Sequence, residues 1–152
     1  MARRRFLAGA VAMALAGCSA LTPRLVAPEV VGTRVRVAEV RLPDVRLGIE
    51  LDLRNPNARD VALDALDASL SLGGEDIGRA RLARPVTLPA NGEARVALDV
   101  RADASAALAR LGAALGAGRP LDYEVRGTLR LADGATYPFR RRGEVPAGAA
   151  AR

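Results

Sequence analysis

At 152 residues the chain has room for one domain and a leader, but not for two domains. Half of the residues are hydrophobic and only 3% aromatic, so the core has to be built from Val, Leu, Ile and Ala. Histidine and tryptophan are absent, which removes the commonest general base, the commonest metal ligand and the best stacking platform. The formal charge of +6 overstates the basic character of the folded part, because Arg3, Arg4 and Arg5 stand in a leader. Every basic side chain is Arg, a bias read as compositional rather than as phosphate recognition.

The amino terminus reads as a charged region, an apolar run from Phe6 to Ala16 and then Gly17-Cys18. The run is too short to cross a hydrocarbon core, which takes about 20 helical residues. Leu15-Ala16-Gly17-Cys18 resembles the lipobox of bacterial lipoproteins. That resemblance implies recognition of Leu15, Ala16 and Gly17 by a signal peptidase, cleavage before Cys18, and acylation of the Cys18 thiol. Membrane lipid is then the first expected partner. Each buried methylene adds roughly 0.8 kcal/mol to membrane affinity, so several acyl chains anchor where one would not. Arg3-Arg4-Arg5-Phe6-Leu7 also resembles the twin-arginine export consensus through Arg3 and Arg4, and both that route and the general one fit. Ser19 is not the Asp that favours inner-membrane retention, which implies the outer membrane, facing the periplasm, in a cell that has one. As the sole cysteine, Cys18 has no partner for an intramolecular disulfide.

The expected organisation is a signal peptide over 1–17, the lipidated cysteine and a tether over 18–29, a β-domain over 30–145 and a tail over 146–152. Pro23 and Pro28 without periodicity suit a tether. A period of two then dominates. Val35, Val37 and Val40 alternate with polar residues, and Val45, Leu47, Ile49, Leu51 and Leu53 form the clearest strand. Asn55-Pro56-Asn57 forces a turn, since Pro56 lacks an N–H and biases Asn55 toward extended geometry.

Leu66, Ala68, Leu70 and Leu72 alternate next, followed by Gly73-Gly74 and a short run from Ile77 to Leu82, a spacing that predicts a loop longer than two residues. Pro85 to Pro89 belongs at a sheet edge, and Asn91-Gly92 turns the chain into Ala94, Val96, Leu98 and Val100. Asp103 or Ser105 caps one helix through Ala106, Leu108, Leu111 and Leu115, ending at Gly116-Ala117-Gly118. Leu121 to Leu131, the Asp133-Gly134 turn, and Thr136 to Arg142 make the last hairpin. Seven or eight short strands and one helix predict an all-β, antiparallel sandwich of the immunoglobulin or fibronectin-III kind.

The strand ending in Asn55-Pro56-Asn57, the Gly73-Gly74 step with Ile77-Gly78, the proline-bracketed Pro85-Val86 to Leu88-Pro89-Ala90-Asn91-Gly92 segment, and Val96, Leu98 and Val100 resemble, in this order, the late embryogenesis abundant type 2 family. It is also known as the LEA14-like or water-stress and hypersensitive-response domain. The match covers most of the chain after the tether, although the strand from Leu66 to Leu72 lacks the aromatic often present there. The resemblance implies a sandwich without a catalytic centre and a role in stress or desiccation tolerance.

No residue constellation for catalysis, metal or cofactor emerges. Ser19, Ser69, Ser71 and Ser105 stand in no nucleophile pattern, and Asp60, Asp64 and Asp67 fit no calcium loop and read as solvated charges. Arg140, Arg141 and Arg142 form the one basic run of the domain, either touching anionic lipid headgroups or keeping an edge strand soluble. Export and the lack of stacking aromatics argue against nucleic acid as a partner. The expectation is therefore a non-enzymatic envelope protein acting through surface or protein contacts. The alternative is a carrier of an apolar ligand or an accessory subunit of an envelope complex.

Overall fold

The alternating pattern folds into eight antiparallel strands and one helix, described by a computed structural model over residues 25–41 and 44–145. In chain order these are β1 (Glu29–Arg41), β2 (Asp44–Arg54), β3 (Val61–Leu72), β4 (Glu75–Arg81), β5 (Val86–Leu88), β6 (Glu93–Ala102), α1 (Ala104–Gly116), β7 (Leu121–Leu131) and β8 (Thr136–Val145). The hydrogen-bonded order is β1-β2-β6-β4-β3-β7-β8, with β5 on the free end of β3.

Two layers result from one continuous path. β1, β2 and β6 pair along their lengths, and so do β3, β7 and β8. Among the described residues the layers share a ladder only at a corner, where Gly78 to Ala80 of β4 meet Val100 to Ala102 of β6. Gly78 makes that corner possible, since a Cβ there would run into the Arg101 carbonyl oxygen and Ala102 Cα. Opposite the corner, β1 and β8 approach without a ladder among the described residues. Side chains close that seam: the Tyr123 hydroxyl donates to the Thr33 carbonyl at 2.8 Å, the Tyr137 hydroxyl to the Leu25 carbonyl at 3.3 Å, and the Arg141 guanidinium to the Val30 carbonyl.

The inward residues of each strand make the core. Ile49, Leu51, Leu53, Leu63, Leu70, Leu88 and Val125 are fully buried, and Leu47, Leu66, Leu72, Leu98 and Leu129 nearly so. Burying each such side chain contributes about 1.5–3 kcal/mol, which is how a core with few aromatics holds. Tyr137 and Phe139 share the inner face of β8, as the alternation predicts, and pack at the edge of this core.

Two elements differ from the sequence reading. β3 begins at Val61 rather than near Leu66. A bulge between Leu63 and Ala65 shifts the buried set from Val61 and Leu63 to Leu66 and Ala68, so the period breaks while the strand continues. The Gly73-Gly74 connection has two residues, not more, with φ of 55° and 85°. Both values lie in the left-handed region that a two-residue hairpin requires. β4 then restarts at Glu75 and Asp76, whose charges hide the strand start; Glu75 is half-buried and Asp76 exposed.

α1 is capped by Asp103, whose carboxylate accepts from the Ser105 and Ala106 N–H groups at 3.0 and 3.1 Å and from the Ser105 hydroxyl at 2.6 Å. The Ser105 hydroxyl hydrogen bond, followed by the Ala106 N–H, holds the Asp103 carboxyl below its ordinary range. The helix covers one end of the sandwich, where Ala107 is buried and Arg110 grips Glu75 at 2.6 Å. The opposite end gathers the Asn55-Pro56-Asn57 turn, the β5–β6 turn, the β7–β8 turn and the start of the described chain.

Candidate functional site

The Asn-Pro-Asn turn is a hydrogen-bonded hub. β2 delivers Asn55 into the interior, where it is fully buried, and its backbone N–H donates to the Gly92 carbonyl at 2.8 Å. A buried carboxamide needs partners for both its halves. The Asn55 amide nitrogen lies 2.9, 3.1 and 3.0 Å from the carbonyl oxygens of Arg59, Leu88 and Pro89, so its two hydrogens serve three acceptors. Its oxygen accepts from the N–H of Asn57 at 3.0 Å and from the Asn57 amide at 2.8 Å.

Asn57 extends the hub to the chain entering the domain. Its oxygen accepts from the Val26 N–H at 2.8 Å and its amide donates to the Val26 carbonyl at 2.9 Å. The β5–β6 turn is fixed from both sides, since the Asn91 N–H donates to the Asn57 carbonyl at 2.9 Å and the Ala90 N–H to Asp60 at 2.9 Å. Asn91 takes a positive φ of 50°, a conformation Asn tolerates better than most residues. Three segments distant in sequence thus converge on two asparagines. The turn was legible as a turn, whereas its grip on Val26 and the role of Asp60 had no local signal.

β7 and β8 position the basic run, and alternation splits it. Arg140 and Arg142 lie on the outer face, while Arg141 reaches across the seam to Val30. Glu124 of β7 stands among the outer arginines: Arg142 donates to it at 2.5 Å, Arg126 is 2.7 Å away and Arg140 3.7 Å. The hydrogen bond from Arg142, reinforced by the charges of Arg140 and Arg126, holds the Glu124 carboxyl below the usual range against the opposing effect of burial. Reading the sequence missed Glu124, because one acid facing three arginines becomes visible only with the β7–β8 register.

The aspartates near the turn disperse. Asp60 binds the Ala90 N–H, Asp64 lies 3.5 Å from Arg130 and Asp67 2.9 Å from Arg81. No group of three or more metal-ligating side chains occurs among the described residues, and no helix there is long and apolar enough to cross a membrane. Arg3, Arg4, Leu15, Ala16, Gly17 and Cys18 lie outside the described residues.

At the α1 end, Val35, Arg36, Val37, Leu47, Leu72, Leu111 and Val145 line a partly open crevice of about 10 Å³. That is about the room of one water molecule. Four larger depressions, of 390 to 450 Å³, are open and lined in part by charged residues.

These features define a class of protein: an antiparallel β-sandwich in which the motif asparagines hold turns and chain entry together. The family model described as late embryogenesis abundant protein matches residues 50–143, more than half of the chain, and the chain belongs to that family in its type 2 branch. No curated protein matches the chain significantly. Among solved structures, a solution structure from Arabidopsis thaliana is 19% identical, covering 83% of this chain and 87% of that one, with a TM-score of 0.60. A crystal structure of a protein from Archaeoglobus fulgidus is 12% identical, covering 78% and 97%, with a TM-score of 0.54. At these identities the likeness is one of fold.

Proposed function

We propose that this chain is a lipid-anchored, non-enzymatic protein of the cell envelope, whose type 2 late embryogenesis abundant domain acts through surface contacts in tolerance of water stress. The Leu15-Ala16-Gly17-Cys18 sequence supports the anchor. The observation that carries the reading is the Val26–Asn57 pair, because it fixes where the chain enters the domain. Val26 comes eight residues after Cys18, a stretch that reaches at most roughly 3.6 Å per residue. This supports an orientation with the pole of Asn57 and Asn91 toward the leaflet and α1 away from it. Val26, the most exposed large hydrophobic residue described, sits at that proximal pole.

Membership of a generally non-enzymatic family supports the absence of catalysis. The apolar crevice of about 10 Å³ beside Leu111 supports contact chemistry over carriage at that place, since an acyl chain needs a space many times larger. In cells fed a labelled fatty acid, the wild-type protein is expected to take up label and Cys18→Ser to take up none. A soluble, unlabelled wild type overturns the anchor. Survival of drying should fall in a deletion strain, and equal survival removes the stress role while leaving the anchor in place.

A further inference from the structure

We propose that the outer surface carries a band that binds an acidic, extended peptide segment of a partner protein. The band follows one rung of the sheet. Arg140 pairs in register with Arg126, Arg126 with Ser69, Ser69 with Arg79, Arg79 with Arg101, and Arg101 with Arg46. All five arginines are exposed. Three of these steps set one arginine directly opposite another, an arrangement that destabilises a sheet by like-charge repulsion. An arginine-rich composition accounts for many arginines, but not for their alignment on one rung.

The partnering of the other strand arginines sharpens the point. Among the described strand side chains, Arg34, Arg36, Arg54, Arg81, Arg95, Arg130 and Arg142 each sit beside a carboxylate, and Arg141 binds a carbonyl. Arg79 and Arg101 are in no ion pair among the described residues, and Arg46, the next on the rung, is in none either, although Glu39 of β1 stands opposite it in register and ends the band there. Arg126 and Arg140 share Glu124 with Arg142. Among the described strand arginines, those without an ion pair thus fall on a single line.

Shape and charge select the occupant. At about 4.8 Å per strand the band runs about 24 Å from Arg140 to Arg46 and turns the β4–β6 corner. A flexible chain follows such a convex path, whereas a flat leaflet touches only one side of it. Guanidinium groups take carboxylates in paired hydrogen bonds. Two of the open depressions lie on the band, one where Arg79 and Arg126 stand with Asp67 and Asp76, the other where Arg46 and Arg101 stand with Asp99. Exposed Asp76 and Asp99 flank it and repel a uniformly anionic surface, while a peptide with spaced acids avoids them.

This deepens the contact reading above and is independent of Cys18, so acyl labelling tests the anchor and peptide binding tests the band. The full chain in neutral-detergent micelles is titrated against a fluorescein-labelled decapeptide of alternating Glu and Thr, and in parallel against phosphatidylglycerol vesicles. Peptide binding that weakens with salt is expected, with a loss of at least about ten-fold in the Arg79→Glu, Arg101→Glu double variant. The Arg84→Glu, Arg119→Glu variant makes the same change of net charge and should stay within about two-fold of wild type. The Arg79→Gln, Arg101→Gln variant should bind weakly while keeping or raising its thermal midpoint, because repulsion has been relieved. Equal losses in the two Glu variants, no peptide binding by wild type, or band-dependent binding of vesicles instead of peptide each overturn the proposal.

Discussion

The side chain of Asn57 pairs with the backbone of Val26 on both sides, accepting from its N–H at 2.8 Å and donating to its carbonyl at 2.9 Å. The carboxamide acts as one residue of a neighbouring strand would, at a point where no strand is available. Asn57→Ala removes both bonds, and also the donation to Asn55. The Val26 amide is then expected to lose its protection from hydrogen exchange, with a global loss of about 1–3 kcal/mol. Asn57→Asp keeps an acceptor for the Val26 N–H and loses the donor, so protection at Val26 should be partly retained. Unchanged exchange at Val26 in the Ala variant would show that the entry segment is held by something else.

Asn55 is the more demanding position because it is fully buried and bonded through both halves of its amide. Asn55→Ala takes a donor from the carbonyls of Arg59, Leu88 and Pro89, the last of which keeps its bond from the Gly92 N–H, and the acceptor from the N–H of Asn57. Urea unfolding should report a loss of about 2–4 kcal/mol. Asn55→Asp should cost at least as much, although it is nearly isosteric, since a carboxylate cannot donate to three carbonyls and its charge is buried. A near-neutral Asp variant would contradict the network as described.

What was legible in the sequence follows from how local each signal is. β2, β6 and β7 were plain because Leu51, Val96 and Val125 alternate with polar neighbours that face water. β3 was cut short because its bulge at Ala65 changes which parity is buried, a change that no period of two survives. The Asn55-Pro56-Asn57 turn announced itself through Pro56, yet its partners Leu88, Pro89 and Gly92 lie more than thirty residues away. The run Arg140-Arg141-Arg142 looked like one patch, and strand geometry divides it between two faces. The arginine rung was invisible for the same reason, since it exists only across strands.

Two glycines test the backbone argument in opposite directions. A Cβ on Gly78 would meet the Arg101 carbonyl oxygen and Ala102 Cα, and backbone there cannot yield without opening the corner. Gly78→Ala should therefore lower stability by about 2–3 kcal/mol. Gly112, inside α1, has open space around its Cβ direction. Gly112→Ala should raise stability by about 0.4–1 kcal/mol through helix propensity and the unfolded chain. Thermal melts of the two variants should move apart from wild type in opposite senses.

Glu124 makes stability depend on acid. Its folded carboxyl lies below the ordinary 4.5, chiefly through the Arg142 hydrogen bond. A depressed folded value means that the contribution is complete above the unfolded value and is lost as pH falls through the folded one. Asp52, held down by the Arg95 hydrogen bond, and Asp103, held down by Ser105, act in the same direction. Glu124→Gln should lower the melting temperature at neutral pH, where it leaves Arg126, Arg140 and Arg142 uncompensated. Below pH 4.5 the variant and wild-type melting curves should converge, and a constant offset down to the lowest pH would remove Glu124 from this role.

Tyr123 works on the alkaline side. Burial raises its phenol above the ordinary 10.0, and its hydroxyl donates across the seam to Thr33 at 2.8 Å. A raised folded value gives a contribution complete below the unfolded value and lost as pH rises through the folded one. Ionisation would also remove the donor that joins β7 to β1, so the seam loosens as the phenol titrates. Above pH 10 the wild-type melting temperature should fall, and Tyr123→Phe, already lower at neutral pH by about 0.5–1.5 kcal/mol in stability, should fall less. Parallel alkaline limbs in the two proteins would place the loss elsewhere. Convergent limbs would identify the Tyr123–Thr33 bond as one of the contacts that close the sandwich.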